Sequence, residues 1–183
     1  MRLENILFEQ ANTGDLTLVN IEGCDDDSFD IELDNGETIE CNDISDQFTD
    51  LYREGGVRIM SNESPYNALV DSAGSLKGGI VISYSLPEDI EEVEYGGGHV
   101  TFSIVVDPSV RGQKWAETMI ADLVKNKSHS IIEAQVINPL MEKILVRMGF
   151  EKTSDSGTSK GLAYKLLPKH LRGKNDEDDR SAI

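Results

Sequence analysis

The sequence predicts an α/β (α+β) protein, and three observations carry that prediction. Val100, Phe102, Ile104 and Val106 alternate with Thr101, Ser103 and Val105, the period-two pattern of a strand with one apolar face. Trp115, Ala116, Met119, Ile120, Leu123 and Val124 then recur at helical spacing, as do Leu140, Ile144, Leu145 and Met148. Upstream, Phe29, Ile31 and Leu33 lead into Asp34-Asn35-Gly36, and Ile39 and Cys41 lead out. This reads as a β-hairpin, because Asn-Gly tolerates positive φ.

Taken in order, residues 1–15 are polar and carry little signal, and residues 16–21 alternate as a strand. Residues 23–28 form a loop. Its Asp25-Asp26-Asp27 lacks the spacing and distal Glu of a calcium loop, so a solvated turn is expected. Asn42-Asp43 is placed to cap a helix over residues 44–53, with Ile44, Phe48, Leu51 and Tyr52 on one face and Gly55-Gly56 ending it. Residues 57–60 read as a short strand and Ser64-Pro65 as a break. Residues 66–70 fit either a strand or a helical turn. A turn at 72–75 leads into a strand over 76–85 that carries Gly78-Gly79. An acidic loop at 88–94 and a glycine link at 96–98 follow.

Pro108 ends the central strand, and Lys125 and Lys127 sit where a helix dipole favours cations. Residues 130–136 form the next strand. Asn138 is a natural N-cap, Pro139 a natural first helical residue and Gly149 a C-terminal stop. Two last strands, 150–153 and 162–166, flank a loop at 154–161. No internal repeat is found. The organisation expected is an acidic, β-rich N-terminal extension over 1–60, a core over 61–168 and a disordered charged tail over 169–183.

The 183 residues carry a net charge of −17, unevenly placed: residues 1–98 hold 23 acids and 4 bases, the remainder 11 acids and 13 bases. That balance argues against nonspecific nucleic-acid binding, which needs Lys and Arg against phosphate. A solvated acidic surface is the plain reading of the asymmetry. The functional one is a basic half for an anionic cofactor and an acidic half for a cationic acceptor. No apolar run approaches the length of a membrane span and the N-terminus has no signal-peptide core, so a cytoplasmic protein without membrane contact is expected. Cys24 and Cys41 are too few for a disulfide framework or a thiolate zinc site, and no metal is expected.

The chemistry centres on the turn between the 100–106 strand and the helix after it, Asp107-Pro108-Ser109-Val110-Arg111-Gly112-Gln113-Lys114-Trp115-Ala116. A helix N-terminus offers unpaired N–H groups and a positive dipole end to an anion. This stretch resembles the acetyl-CoA-binding motif of the GNAT (Gcn5-related N-acetyltransferase) superfamily, [QR]-x-x-G-x-[GA], with Arg111 in the first position and Ala116 in the last. The helix from Asn138-Pro139 to Met148-Gly149-Phe150 is also similar, and the resemblance covers residues 67–167.

The resemblance implies a mixed, mostly antiparallel sheet flanked by helices, and acetyl-CoA as cosubstrate. The loop amides of Gln113, Lys114, Trp115 and Ala116, with those of Arg111 and Gly112, would cradle the CoA pyrophosphate. Ile104, Val105 and Val106 would splay from the neighbouring strand and pair with the pantetheine, an N–H near Val106 would polarise the thioester, and Asn138 would contact the CoA arm. It implies N-acetyl transfer to an amine of a small molecule or protein, for which the acidic half favours a cationic acceptor. Two positions depart from the pattern: Lys114 stands where the family has Gly, and Leu145 where it often has an acid-donating Tyr.

An alternative function is a catalytically weak or inactive binding protein of the same fold, a kind familiar among phage proteins. An acidic DNA mimic has only the charge in its favour. His99 and Tyr84 are the candidate catalytic residues, beside plainer readings as a structural histidine and a half-buried tyrosine. Trp115 also fits core packing, and the acids at 88–94 also fit a solvated loop.

Overall fold

The computed structural model describes residues 16–24, 29–33, 35–57, 59, 61–85, 98–136, 139–153 and 162–168. The expected features at 1–15, 25–28, 88–94, 96–97, Asn138, 154–161 and 169–183 lie outside these residues. The chain divides into two compact units, one of residues 1–83 and 103–122, the other of residues 84–102 and 123–183. No helix among the described residues is long and apolar enough to cross a membrane.

The first unit contains β1 (Leu16–Asn20), a hairpin of β2 (Asp30–Glu32) and β3 (Thr38–Glu40), and α1 (Cys41–Glu54). It also holds β4 (Ser64–Asp71) and most of β5 (Leu76–Ser85). β4 pairs antiparallel with β1 on one side and β5 on the other. The hairpin turns where Asn-Gly predicts, with Gly36 at φ +81° and Asn35 Oδ1 accepting the Glu37 N–H. Ile31, Leu33, Cys41, Ile44, Phe48, Leu51 and Tyr52 enter one core with Val70, Val81 and Val105.

Three expectations are corrected in this unit. The first helix begins at Cys41 with Glu40 at its N-cap and no side-chain cap, so Asn42-Asp43 is inside it. Burial decides this start: Cys41 is the first member of the stripe that continues through Ile44, Phe48, Leu51 and Tyr52. Pro65 does not break the chain. It sits near the start of β4, where a register shift between Pro65 and Asn67 accommodates a residue that lacks a ladder donor. β4 is buried continuously from Pro65 to Val70, so its sequence lacks the alternation that marks a half-buried strand. Val57 and Ile59 belong to no strand and pack half-buried against the core.

Gly79 shows how tightly α1 closes on β5. A Cβ there would lie 2.5 Å from the Phe48 ring and 3.1 Å from the Asn67 carbonyl. Gly79→Ala should therefore cost about 1–3 kcal/mol by overpacking, read as a lower urea midpoint.

β6 (His99–Val106) and α2 (Trp115–Asn126) each run from one unit into the other. The second unit adds β7 (Ile131–Val136), α3 (Pro139–Arg147), β8 (Glu151–Lys152) and β9 (Leu162–Leu166). His99–Phe102 of β6 pair parallel with residues 131–134 of β7. β9 pairs antiparallel with both β7 and β8. The sheet pairing is thus mixed and mostly antiparallel, as expected. α3 begins at Pro139 and stops at Gly149, whose φ of +88° lets Phe150 N–H turn back to the Leu145 carbonyl. Leu145 and Met148 are buried and Ile144 half-buried, but Leu140 is 67% exposed. At 100° per residue Leu140 lies about 140° around the helix from Leu145, which takes it off the buried face.

Candidate functional site

The turn after β6 is built from short-range bonds. Asp107 N–H donates to the Lys77 carbonyl at 2.8 Å, tying the end of β6 to β5. The Asp107 carboxylate accepts from Ser109 N at 2.7 Å and Ser109 Oγ at 2.6 Å, and these bonds hold its pKa below the usual carboxylate range. Pro108–Val110 form one 3₁₀ turn, and Arg111 Nε reaches back to the Val106 carbonyl at 2.9 Å. The Arg111 side chain thus spans the turn while remaining exposed.

Gly112 follows at φ +84°, and Lys114 takes φ +62°, the only positive φ of a non-glycine residue among those described. α2 starts immediately after, and its first main-chain bond runs from Thr118 N to Lys114 O at 3.0 Å. The Trp115 and Ala116 amides precede that first bond, so no intrahelical acceptor is available to them. Trp115 is buried, and its indole N–H donates to Gln113 Oε1 at 3.3 Å. The indole therefore anchors the loop from beneath. The turn combines what an anion site needs: helix-start amides, a positive dipole end and two exposed cations, Arg111 and Lys114.

Lys114 answers the question posed by the missing motif glycine, because the backbone adopts the left-handed conformation that glycine serves. A residue with a Cβ there costs roughly 1–2 kcal/mol. Glycine relieves this but gains unfolded-state entropy, a term of about 0.4–1 kcal/mol in the other direction. Lys114→Gly should therefore raise stability by about 0.5–1 kcal/mol, measured as a rise in urea midpoint at unchanged slope.

The C-terminal half of β6 is the second component. Its register with β7 ends at Phe102–Ala134, whereas β7 continues to pair with β9 through Val136. Val105 is buried in the first unit's core, and Ile104 and Val106 are half-buried.

The other candidates belong to the second unit. His99 opens β6, five to seven residues before Ile104–Val106 in sequence. Its Nε2 lies 3.2 Å from Glu133 Oε2, and the proximity of that side chain holds the Glu133 carboxyl below its usual range. Tyr84 is 55% exposed near the end of β5, with Lys127 Nζ 5.3 Å from its ring centroid, a cation–π contact. Leu145 is fully buried. On β9, Tyr164 donates its hydroxyl to Glu142 Oε1 at 2.5 Å, which pushes its pKa up to about 12.

No protein-family model matches the chain, and no curated protein matches it in sequence. Solved structures do match. A KacTA–DNA complex aligns over 89% of this chain and 99% of that one, with TM-score 0.53 and 20% identity. A tyrosine-to-phenylalanine variant of the toxin AtaT, bound to the C-terminus of the antitoxin AtaR and to acetyl-CoA, aligns over 85% and 95%, with TM-score 0.51 and 16% identity. Arabidopsis thaliana NAA60 in complex with a bisubstrate analogue aligns over 68% and 92%, with TM-score 0.51 and 14% identity. The chain has the GNAT fold. Within that fold the turn at 107–116 follows the strand whose register with its parallel neighbour ends early.

Sequence reading missed two features near this strand. Tyr52, on α1, places its buried hydroxyl 2.7 Å from the Ser103 carbonyl, 3.1 Å from the Gly79 carbonyl and 3.1 Å from the Val81 N–H. Ser103 Oγ donates to Glu63 Oε1 at 3.3 Å. Helical periodicity marked Tyr52 only as core, and no spacing rule links residues 63 and 103.

Proposed function

We propose that this chain is an N-acetyltransferase that moves an acetyl group from acetyl-CoA to an amine. The observation that carries the reading is the Lys114 backbone: the turn takes the glycine-type conformation without a glycine, beside the helix-start amides and Arg111. The GNAT fold supports it, as do the acetyl-CoA bound to AtaT and the bisubstrate analogue bound to NAA60. The amides of Gln113 to Ala116 and the Arg111 guanidinium hold the pyrophosphate, with charge-assisted hydrogen bonds of roughly 1.5–3 kcal/mol each. The backbone of Ile104–Val106 pairs with the pantetheine, and an N–H near Val106 stabilises the oxyanion. The amine, once deprotonated, attacks the thioester carbon; the C–S bond breaks, the CoA thiolate leaves and the nitrogen gives up its remaining extra proton to water. Leu145 has no proton to give, so the thiolate is protonated by another group or by water.

The excess of acids in residues 1–98 favours a cationic acceptor, such as a polyamine-like molecule, an aminoacyl group or a protein amine. The test is calorimetric titration with acetyl-CoA and CoA, followed by CoA-thiol release across an amine panel. Absence of acetyl-CoA binding overturns the reading. The buried Leu145 favours a second one, a GNAT-fold binding protein with little catalysis. Acetyl-CoA binding without thiol release for any amine would select it.

A further inference from the structure

Acetyl transfer needs a group that takes a proton from the acceptor, because an ammonium has no lone pair for attack. The first unit contains a carboxylate suited to this. Glu63 immediately precedes β4, is half-buried and accepts a hydrogen bond from Ser103 Oγ at 3.3 Å. Ser103 is the first residue of β6 beyond its pairing with β7 and directly precedes Ile104–Val106. Its main chain is held in turn, since Tyr52 donates to the Ser103 carbonyl. The Ser103 hydroxyl therefore orients the carboxylate from a fixed backbone, at the point where β6 is released for other partners. The Ser103 hydroxyl on β6 bonds it, the Tyr52 hydroxyl on α1 feels its charge, and burial keeps Tyr52 protonated.

Resting on the acetyltransferase reading, we propose that Glu63 is the general base for the acceptor amine. An acceptor ammonium first pairs with the Glu63 carboxylate and then passes it one N–H proton. The freed nitrogen lone pair forms the N–C bond, the C–S bond breaks with its electron pair on the departing thiolate, and the second proton lost by nitrogen passes to that thiolate or to water. Protonated Glu63 returns its proton to solvent. Carboxylate and incoming ammonium are also matched in charge, so one residue serves both recognition and proton removal.

The experiment compares the full-length wild type with Glu63→Gln in two steps. Calorimetry with acetyl-CoA comes first and also reports folding. CoA-thiol release is then measured at neutral pH with spermidine, whose amines are protonated, and with methoxyamine, which is already neutral. Glu63→Gln should bind acetyl-CoA within about twofold of wild type and lose about 10²-fold or more in kcat with spermidine. With methoxyamine the loss should stay below about threefold, because no proton need be removed before attack. Equal losses with both amines, or none with spermidine, overturn the assignment. So does a wild type that binds acetyl-CoA yet turns over neither amine. A wild type that does not bind acetyl-CoA overturns instead the acetyltransferase reading itself.

Discussion

Arg111→Glu should weaken acetyl-CoA binding by about 10²–10³-fold, the largest effect expected of any single change in the turn. The side chain is exposed, and its Nε is tied to the Val106 carbonyl, which holds the guanidinium at the turn proposed to bind the diphosphate. Losing one charge-assisted bond costs roughly 1.5–3 kcal/mol, and the reversed charge adds repulsion beside a diphosphate. At 1.4 kcal/mol per tenfold, the sum reaches that range. Stability should change little, because Arg111 packs against no core. Arg111→Lys should fall between the two proteins, since it keeps the charge but loses the planar fork. The measurement is calorimetric affinity at two ionic strengths. Affinity that survives the reversal would place the pyrophosphate elsewhere and remove the turn from the site.

Tyr52→Phe should destabilise the fold by about 2–4 kcal/mol. One hydroxyl serves the Ser103 and Gly79 carbonyls and accepts the Val81 N–H, in the gap where α1 meets β5 and β6 of the first unit. Removing it leaves buried main-chain groups without that partner, at roughly 1–3 kcal/mol for each unsatisfied group. Urea denaturation should show a lower midpoint at constant slope, and a loss under about 0.5 kcal/mol would contradict the account. The same burial raises the Tyr52 pKa well above its ordinary value, with backbone and Glu63 effects smaller. A raised folded-state pKa stabilises the protonated form. That contribution is whole below the unfolded value of about 10 and is lost as pH rises above it. The variant should therefore lose part of the wild type's alkaline sensitivity.

The elements around the turn were legible because local chemistry governs them. The strand at 99–106, the stripe from Trp115 to Val124, Pro139 at a helix start and Gly149 at a helix stop lie where pattern predicts, although the burial of the strand shifts phase so that Val105, rather than Ile104 or Val106, joins Val100 and Phe102 inside. Pattern failed where burial overrides it. The continuous burial of β4 erased its period, Cys41 joined α1 ahead of the better capping residues, and Leu140 fell on the exposed side of a short helix.

The same division runs through the site. Arg111, Gly112 and Ala116 stand in a motif that can be read from residue order, since a strand, a turn and a helix start are local events. Only the folded chain decided that Lys114 occupies a glycine conformation, at φ +62° between the 3₁₀ turn and the start of α2. Only the folded chain, too, brings Glu63 to Ser103 across 40 residues and Tyr52 to Ser103 across 51. Those contacts depend on sheet pairing and on how α1 packs, and non-local pairing leaves no periodic mark on the residues it joins.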